Sequence, residues 1–407
     1  MGGKASIFLV LGFSTIILII GLNMNRVSSS AVDNSSNYYE NEIAKEIARS
    51  GINLAASNLS RNHSWNPTDK KFNYLGDKNL EISVKESGDI KTVTAIGIFK
   101  GVAKTIEVKI KLASFSEYAY FSNVEGDIWW TGTDSVWGPF HTNDNIQVQG
   151  HPYFNGPVTS HGGIMKYYTD KATDAPTIQG TYIPGTTINI PTDGITNLSA
   201  SASKAGHVFT GTSQVFLKFA GDSIKYKFNS GDPYVTVLGS SLAPNGVIYV
   251  NNGNLRIEGT VKGNWSVGSN QNVYLDNDVV YSKVPNYKDK NDASPDLLGI
   301  VSQNDVIITD NTANHSNINI HAAIYCEDGG FTAENYKTCA LSGTIHLIGG
   351  ITQNQRKGVG TFTADKTKKI PKSGFPYKDY KYDSRLLKKV PPYFPSTNTF
   401  KVLSWLE

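Results

Sequence analysis

The strongest hydrophobic pattern comes first in the chain. Ala5 to Leu22 is a run of eighteen residues without a charge, mostly Ile, Leu, Val and Phe. That length is at the lower edge of what crosses a bilayer as a helix. Lys4 precedes the run and Arg26 is the next charge, so the positive-inside rule leaves Lys4 in the cytoplasm and the bulk of the chain outside. A cleaved secretory signal would have a shorter apolar region ending in small residues. Ser28-Ser29-Ser30-Ala31 offers such a stretch, but Asn23-Met24-Asn25-Arg26 intervenes. Length and flanks favour a retained membrane segment, marked by Ala5, Leu11, Ile17 and Leu22. From Tyr38 to Leu59 the pattern becomes amphipathic. Ile43, Ile47, Gly51 and Leu54 share one helical face, with Ala44, Ala48 and Ala55 beside them and Glu42, Lys45, Glu46, Arg49 and Asn53 opposite. Small residues four apart let another backbone approach closely. Ile43, Ala44, Ile47, Ala48, Gly51, Leu54 and Ala55 therefore form a candidate assembly face, although packing on the chain's own sheet would use them equally well. Three alternating runs follow, Leu80–Lys85, Val93–Phe99 and Lys104–Leu112, parted by Ser87-Gly88-Asp89 and Lys100-Gly101. They predict an antiparallel meander over 72–112, after a helix over 5–60.

From about Phe115 the rhythm shortens. Apolar strands such as Ile146–Val148, Val247–Val250, Leu255–Ile257, Val273–Leu275 and Val306–Ile308 alternate with corners such as Asn251-Asn252-Gly253-Asn254 and Asp276-Asn277-Asp278. Short strands with Asn-rich corners suit a parallel β-helix, whose coils stack like on like and whose Asn side chains can bond in ladders. An antiparallel sandwich, with longer strands and hairpin returns, is the rival. No clean period emerges, and the pattern alone leaves the two level. Gln214–Phe219, Ser223–Phe228 and Tyr234–Leu238 are longer alternating runs, predicting a meander inserted near 210–240.

Composition narrows the classes. At 407 residues the chain suggests two or three domains. A net charge of +3 gives no electrostatic reason to expect a nucleic-acid partner. Two Cys exclude a disulfide-dense scaffold and a Cys-rich metal site. His141, His151 and His161 fall at intervals of ten, too far apart for one helix face and lacking the short-spaced pair that zinc sites use. Bonds to turn backbone are the better reading. Asp276, Asp278, Asp305 and Asp310 sit in turn contexts where Asp caps backbone, and nothing selects a catalytic pair. No nucleophile elbow, phosphate loop or dinucleotide fingerprint is found in a suitable context, so neither a cofactor nor a metal is expected. Cys326 and Cys339 lie thirteen residues apart. Outside the cytoplasm such a pair closes a loop worth roughly 3 kcal/mol, and export favours that disulfide over two buried thiols. Residues 356–389 hold eleven Lys/Arg and three Asp. With the Pro- and aromatic-rich tail they predict a basic C-terminal strap over 356–407.

Residues 1–112 resemble type IV pilins and pseudopilins, in particular the PilX-like minor pilins. The resemblance rests on the short basic leader, the apolar run, and the small-residue continuation Glu46-Ile47-Ala48-Arg49-Ser50-Gly51. It implies trimming by a prepilin peptidase between Gly3 and Lys4, and packing of the apolar half in a filament core. Major pilins carry a Glu five residues into the mature chain, where this sequence has Phe8. Phrases further on resemble an uncharacterised family of exported bacterial proteins that join a PilX-like stem to a β-helix. These are Gly138-Pro139-Phe140-His141-Thr142-Asn143, Gly150-His151-Pro152-Tyr153-Phe154, Asn245–Val250, Leu298–Val306, Gly349-Gly350-Ile351 with Arg356-Lys357-Gly358, Tyr382–Leu387 and Pro391–Pro395. This second resemblance puts the β-helix ahead of the sandwich. The expected fold is mainly β: a pilin-like helix and small antiparallel sheet (1–112), then a right-handed parallel β-helix with an inserted meander (113–355), then the strap. The expected function is that of a structural, non-enzymatic subunit, anchored in the inner membrane, that joins other pilin-like chains or itself in a cell-surface filament or pseudopilus. The alternative is a membrane-tethered β-helix that binds or cleaves polysaccharide.

Overall fold

The computed structural model describes residues 2–67, 71–74, 78–87, 90–167, 174–363 and 370–407. It is mainly β, with a long N-terminal helix and several sheets. The chain divides into two compact units, Met1–Leu112 with Asn398–Glu407, and Ala113–Thr397.

In the first unit a single helix of 60 residues runs from Gly2 to Arg61. Its two halves meet different surroundings. The apolar side chains from Ile7 to Leu22 stand exposed, Ile17 at 68%. Ala44, Ala48, Ala55 and Leu59 are fully buried. Ala48, Ala55 and Leu59 lie in a core with Leu80, Ile82, Val93, Ala95, Ile106 and Val108, from an antiparallel sheet. Its strands are ordered Lys71–Tyr74, Lys78–Ser87, Ile90–Phe99, Val102–Ser114 and Ser396–Leu406. The strict alternation of buried and half-buried residues along Ile90–Phe99 is what a sheet covered on one face requires. Gly97 sets the closest approach. A Cβ there would come within 2.0 Å of the Ala44 carbonyl oxygen and 2.9 Å of Ile47 Cβ.

This packing corrects the assembly-face expectation. Ala44, Ala48, Gly51 and Ala55 are buried against the unit's own strands, and Ile47 and Leu54 pack at the rim of the same core; Ile43 is half-buried. A Cβ at Gly51 would meet Leu80 Cδ1 at 2.5 Å and Ala95 Cβ at 3.0 Å. The small residues admit a sheet, leaving no room there for a second helix. The C-terminal strap is corrected too. Residues 356–407 contain the strands Gly360–Phe362, Pro371–Gly374, Tyr377–Tyr382 and Ser396–Leu406, the last of them a member of the first unit's sheet.

The second unit is dominated by parallel pairing. One ladder runs His207–Phe209, Val247–Val250, Asn264–Ser269, Leu297–Ser302, Ile318–Cys326 and Thr344–Gln355. The next rung is not later in the chain but earlier. Gln353 is level with Ser122, and the ladder continues through Tyr120–Val124, Phe140–Thr142, Val158–Ser160 and Tyr182–Pro184. The link from Pro184 to His207 contains a helix, Gly194–Ala205, that the Ser-rich sequence does not announce. Tyr325 Oη donates to Pro191 O at 3.0 Å, and the Ile195 N–H donates to Glu327 at 2.9 Å, fixing that link midway along the ladder.

A second ladder joins Gln214–Gly221, Asn254–Val261, Val273–Tyr281, Val306–Ile308 and Phe331–Ala333. Val215, Leu255, Val273, Val306 and Phe331 stack in one column and are all buried. Gln214–Gly221 is also the first strand of an antiparallel meander with Ser223–Lys227 and Val235–Leu238, so the expected insertion shares its leading strand with the parallel ladder. At the corners, Asn143 Nδ2 donates to Asn123 at 3.0 Å and Asn123 Nδ2 to Asn354 at 2.8 Å. These amides pair from rung to rung along the stack.

His321, on Ile318–Cys326, supplies a pH test. It is buried, and its Nδ1 accepts the Tyr281 N–H at 3.0 Å. Burial lowers its pKa to about 4, against the opposing pull of Asp383 and Asp278 and with a smaller push from Arg385. The unfolded imidazole takes up its proton near its ordinary value of about 6.5, the folded one only near 4. Stability from this group is therefore complete above that ordinary value and is lost as pH falls toward 4, with a slope of at most about 1.4 kcal/mol per pH unit. Melting temperatures recorded from neutral pH down to 4 should fall less steeply in His321→Gln than in the wild type.

Candidate functional site

The residues singled out by sequence fall in separate places. Leu11, Ile17 and Leu22 are exposed on a helix long and apolar enough to cross a membrane. The side chains of Gly3, Lys4 and Ala5 lie outside the described residues. His141 is buried between Thr159 Oγ1 at 2.7 Å and Asn143 Oδ1 at 2.8 Å. Burial lowers its pKa, fitting a neutral ring that donates from Nε2. His151 reaches Ala175 O and His161 reaches Thr187 Oγ1, so the three imidazoles serve neighbouring rungs separately. Among the described residues no three His, Cys, Asp or Glu converge as metal ligands would.

Of the four aspartates, Asp276 and Asp278 lie within the strand Val273–Tyr281 and not at the corner expected there, while Asp305 and Asp310 flank Val306–Ile308. Asp276 receives a two-pronged bond from Arg256, at 2.9 and 2.6 Å, and one from Thr309. Asp278 caps Asn319 at 2.8 Å, Asp305 takes the Gly330 N–H and Lys357 Nζ, and Asp310 takes His315 and Asn335.

The expected disulfide is also corrected. Cys326 and Cys339 are free thiols. Cys326 ends a core strand and is fully buried, while Cys339 is half-buried beside a turn. Burial raises both thiol pKa values, that of Cys326 far above its usual range. A thiol reagent applied to the folded protein should modify Cys339 slowly and spare Cys326. Both should react in denaturant without prior reduction, as read by intact mass.

What the structure does bring together is a cleft of about 480 Å³ within the second unit. Such a volume is in the range of small-molecule sites. Behind its lining residues Tyr120, Trp130 and Arg356 sits Glu125, fully buried, with both oxygens engaged. One accepts Trp130 Nε1 at 3.0 Å and Arg356 Nη1 at 2.6 Å; the other accepts Tyr120 Oη at 3.3 Å and the Ser122 hydroxyl. The Arg356 guanidinium lies 3.8 Å from the centre of the Trp130 ring, a cation–π contact strengthened by the lack of water. Trp130 is set by Phe140 and Phe154, whose rings meet its own edge-on. Nearby, Asp134 accepts the Thr131 N–H at 2.8 Å and Lys378 Nζ at 3.4 Å. The mouth carries Trp129 and Tyr167, with ring centres 5.0 Å apart and planes at 87°.

Sequence reasoning missed this site because its members come from distant stretches. The visible signal was the pair Trp129-Trp130 next to Glu125-Gly126-Asp127, in a chain with only six Trp.

Comparison with known families matches residues 79–163 to a domain of unknown function (DUF4900). No characterised protein matches the chain. Among solved structures, the crystal structure of the competence-associated pilin ComZ from Thermus thermophilus is similar, at 9% identity and a TM-score of 0.39, over 91% of this chain and 96% of that one.

Proposed function

We propose that the chain is a structural, non-enzymatic pilin-like subunit, held in the inner membrane by the first half of its long helix and displaying an exported β domain. The observation that carries this reading is the helix itself. One continuous element exposes an apolar half and buries small residues of the other half under an antiparallel sheet. Water does not favour so much exposed apolar surface, and a bilayer or the apolar halves of neighbouring subunits would cover it. Since the small-residue face is occupied, assembly with other pilin-like chains or with itself would run through residues 5–22, after prepilin-peptidase trimming at Gly3. The exterior part, from residue 113 to about 355, we read as a right-handed parallel β-helix; the parallel ladders and the Asn columns support it. The engagement of Asp276, Asp278, Asp305 and Asp310 in hydrogen bonds to neighbouring segments favours this structural role over polysaccharide cleavage.

Membrane fractionation tests the anchoring. The wild type should sediment with membranes and resist alkaline extraction. Leu11→Asp with Ile17→Arg, each adding about 2.5–3.5 kcal/mol to insertion, should release the chain into the soluble fraction. A wild type recovered soluble without detergent would remove the reading.

A further inference from the structure

Two side chains facing the cleft are more than nine-tenths buried and yet keep hydrogen-bonding atoms to spare. Arg356 is 8% exposed, and its Nη1 serves Glu125 and, at 3.2 Å, Ile128 O. Its Nε and Nη2 have no partner among the described residues. Tyr380 is 6% exposed, and its hydroxyl likewise has no partner among them. Among the described residues, the polar atoms sealed in protein and unbonded belong to Ser266 and Asn314, and not to either of these two. The spare donors of both therefore open into the cleft they line.

We propose that this cleft binds a short stretch of neutral carbohydrate, one sugar ring lying against Trp129 and Tyr167 and its hydroxyl groups reaching Arg356 and Tyr380. A pyranose has an apolar C–H face and a rim of hydroxyls. The corner formed by Trp129, half-buried, and Tyr167, 47% exposed, offers an apolar wall for the face, and the floor offers fixed donors for the rim. Charge selects the class further. Among the described residues, each cation lining the cleft already has a carboxylate: Arg356 has Glu125, Lys378 has Asp134, and Lys357 has Asp305 at 2.7 Å. An anionic ligand would find no surplus positive charge among these described residues. A hydrocarbon would strand the buried N–H and O–H groups, at a cost in desolvation. A hydroxyl-rich, uncharged ligand satisfies both conditions. The Glu125 contacts hold the guanidinium in place before any ligand arrives, which limits what binding must order. The inference concerns the second unit alone and is independent of whether the stem polymerises.

The test uses the full-length chain in a zwitterionic detergent without a sugar headgroup. Tryptophan fluorescence and titration calorimetry would be recorded with cellotetraose, chitotetraose and maltotetraose, and with trigalacturonate and ATP as anionic comparators. At least one neutral tetrasaccharide should bind saturably. Trp129→Ala should weaken that binding about tenfold or more, and Tyr380→Phe should weaken it severalfold with an unchanged melting temperature. Arg356 is left intact, because replacing it would strand the Glu125 charge and confound binding with folding. Failure of every neutral sugar, tighter binding of trigalacturonate or ATP, or binding indifferent to both substitutions would each overturn the proposal.

Discussion

Arg385→Ala is expected to destabilise the second unit by about 3–5 kcal/mol, the usual cost of leaving a buried charge without its partner. Arg385 and Asp383 are both fully buried. The guanidinium grips Asp383 through Nε at 3.0 Å and Nη2 at 2.6 Å, and donates to Ser294 O at 2.8 Å and Asp296 O at 3.0 Å. The substitution would orphan a carboxylate and two carbonyls in one stroke. Asp383→Leu with Arg385→Met removes both charges and should recover much of the loss, because the carboxylate is no longer stranded. The carbonyls keep that recovery incomplete. Urea melts of the three proteins check this, and a single variant within 1 kcal/mol (a mere surface effect) would contradict the burial of the pair.

The second large effect belongs to the first unit. Gly97→Val puts a branched side chain where a Cβ already falls 2.0 Å from the Ala44 oxygen and 2.6 Å from the Ala48 nitrogen. Those atoms are helix backbone and cannot swing aside, unlike the Leu80 side chain that faces Gly51. Overpacking usually costs about 1–3 kcal/mol, more where nothing can yield. The expected cost is at least about 3 kcal/mol, read as separation of the helix from its sheet. Limited proteolysis between Tyr38 and Arg61 should become rapid in Gly97→Val and only moderately faster in Gly51→Leu, while the second unit stays resistant.

The long helix and the meander were legible because each has one dominant period. The apolar run needs no partner to be recognised, and Val93, Ala95 and Gly97 alternate with polar or half-buried neighbours. The role of the Ala44–Ala55 stripe was not legible. Small residues report that something approaches closely, and both a neighbouring helix and a covering strand satisfy that. The helix Gly194–Ala205 was hidden by its Ser content, although Ile195, Leu198 and Ala202, the side chains it buries, sit at helical spacing. The parallel ladders were foreseeable as short strands with Asn corners. Their order was not, since the pairing of Ile351 with Tyr120 joins stretches that no local pattern connects. The cleft was lost for the same reason: Arg356 reaches Glu125 through that pairing, and Tyr380 arrives through its own pairings with Leu347 and Val136. The aspartates and imidazoles were only partly legible: His151 does bond a backbone carbonyl, but His141 and His161 bond side chains on neighbouring rungs, and Asp276 and Asp278 lie within a strand rather than a turn.

That joining of distant rungs also sets a timetable. A ribosome delivers Tyr120–Val124 and the three strands stacked beyond it long before Thr344–Gln355, the strand that covers their inner edge. During synthesis, that edge has unpaired N–H and C=O groups and no native partner to offer them. The remaining rungs can grow one upon another as they emerge, but the two runs close into one stack only when Thr344–Gln355, near the end of the chain, arrives. Contacts of such sequence separation are slow to form, and an open strand edge in the interval invites pairing with a neighbouring nascent chain. A holdase acting on the emerging polypeptide would matter most in that window, and a ribosome stalled before residue 344 would leave a product prone to aggregate.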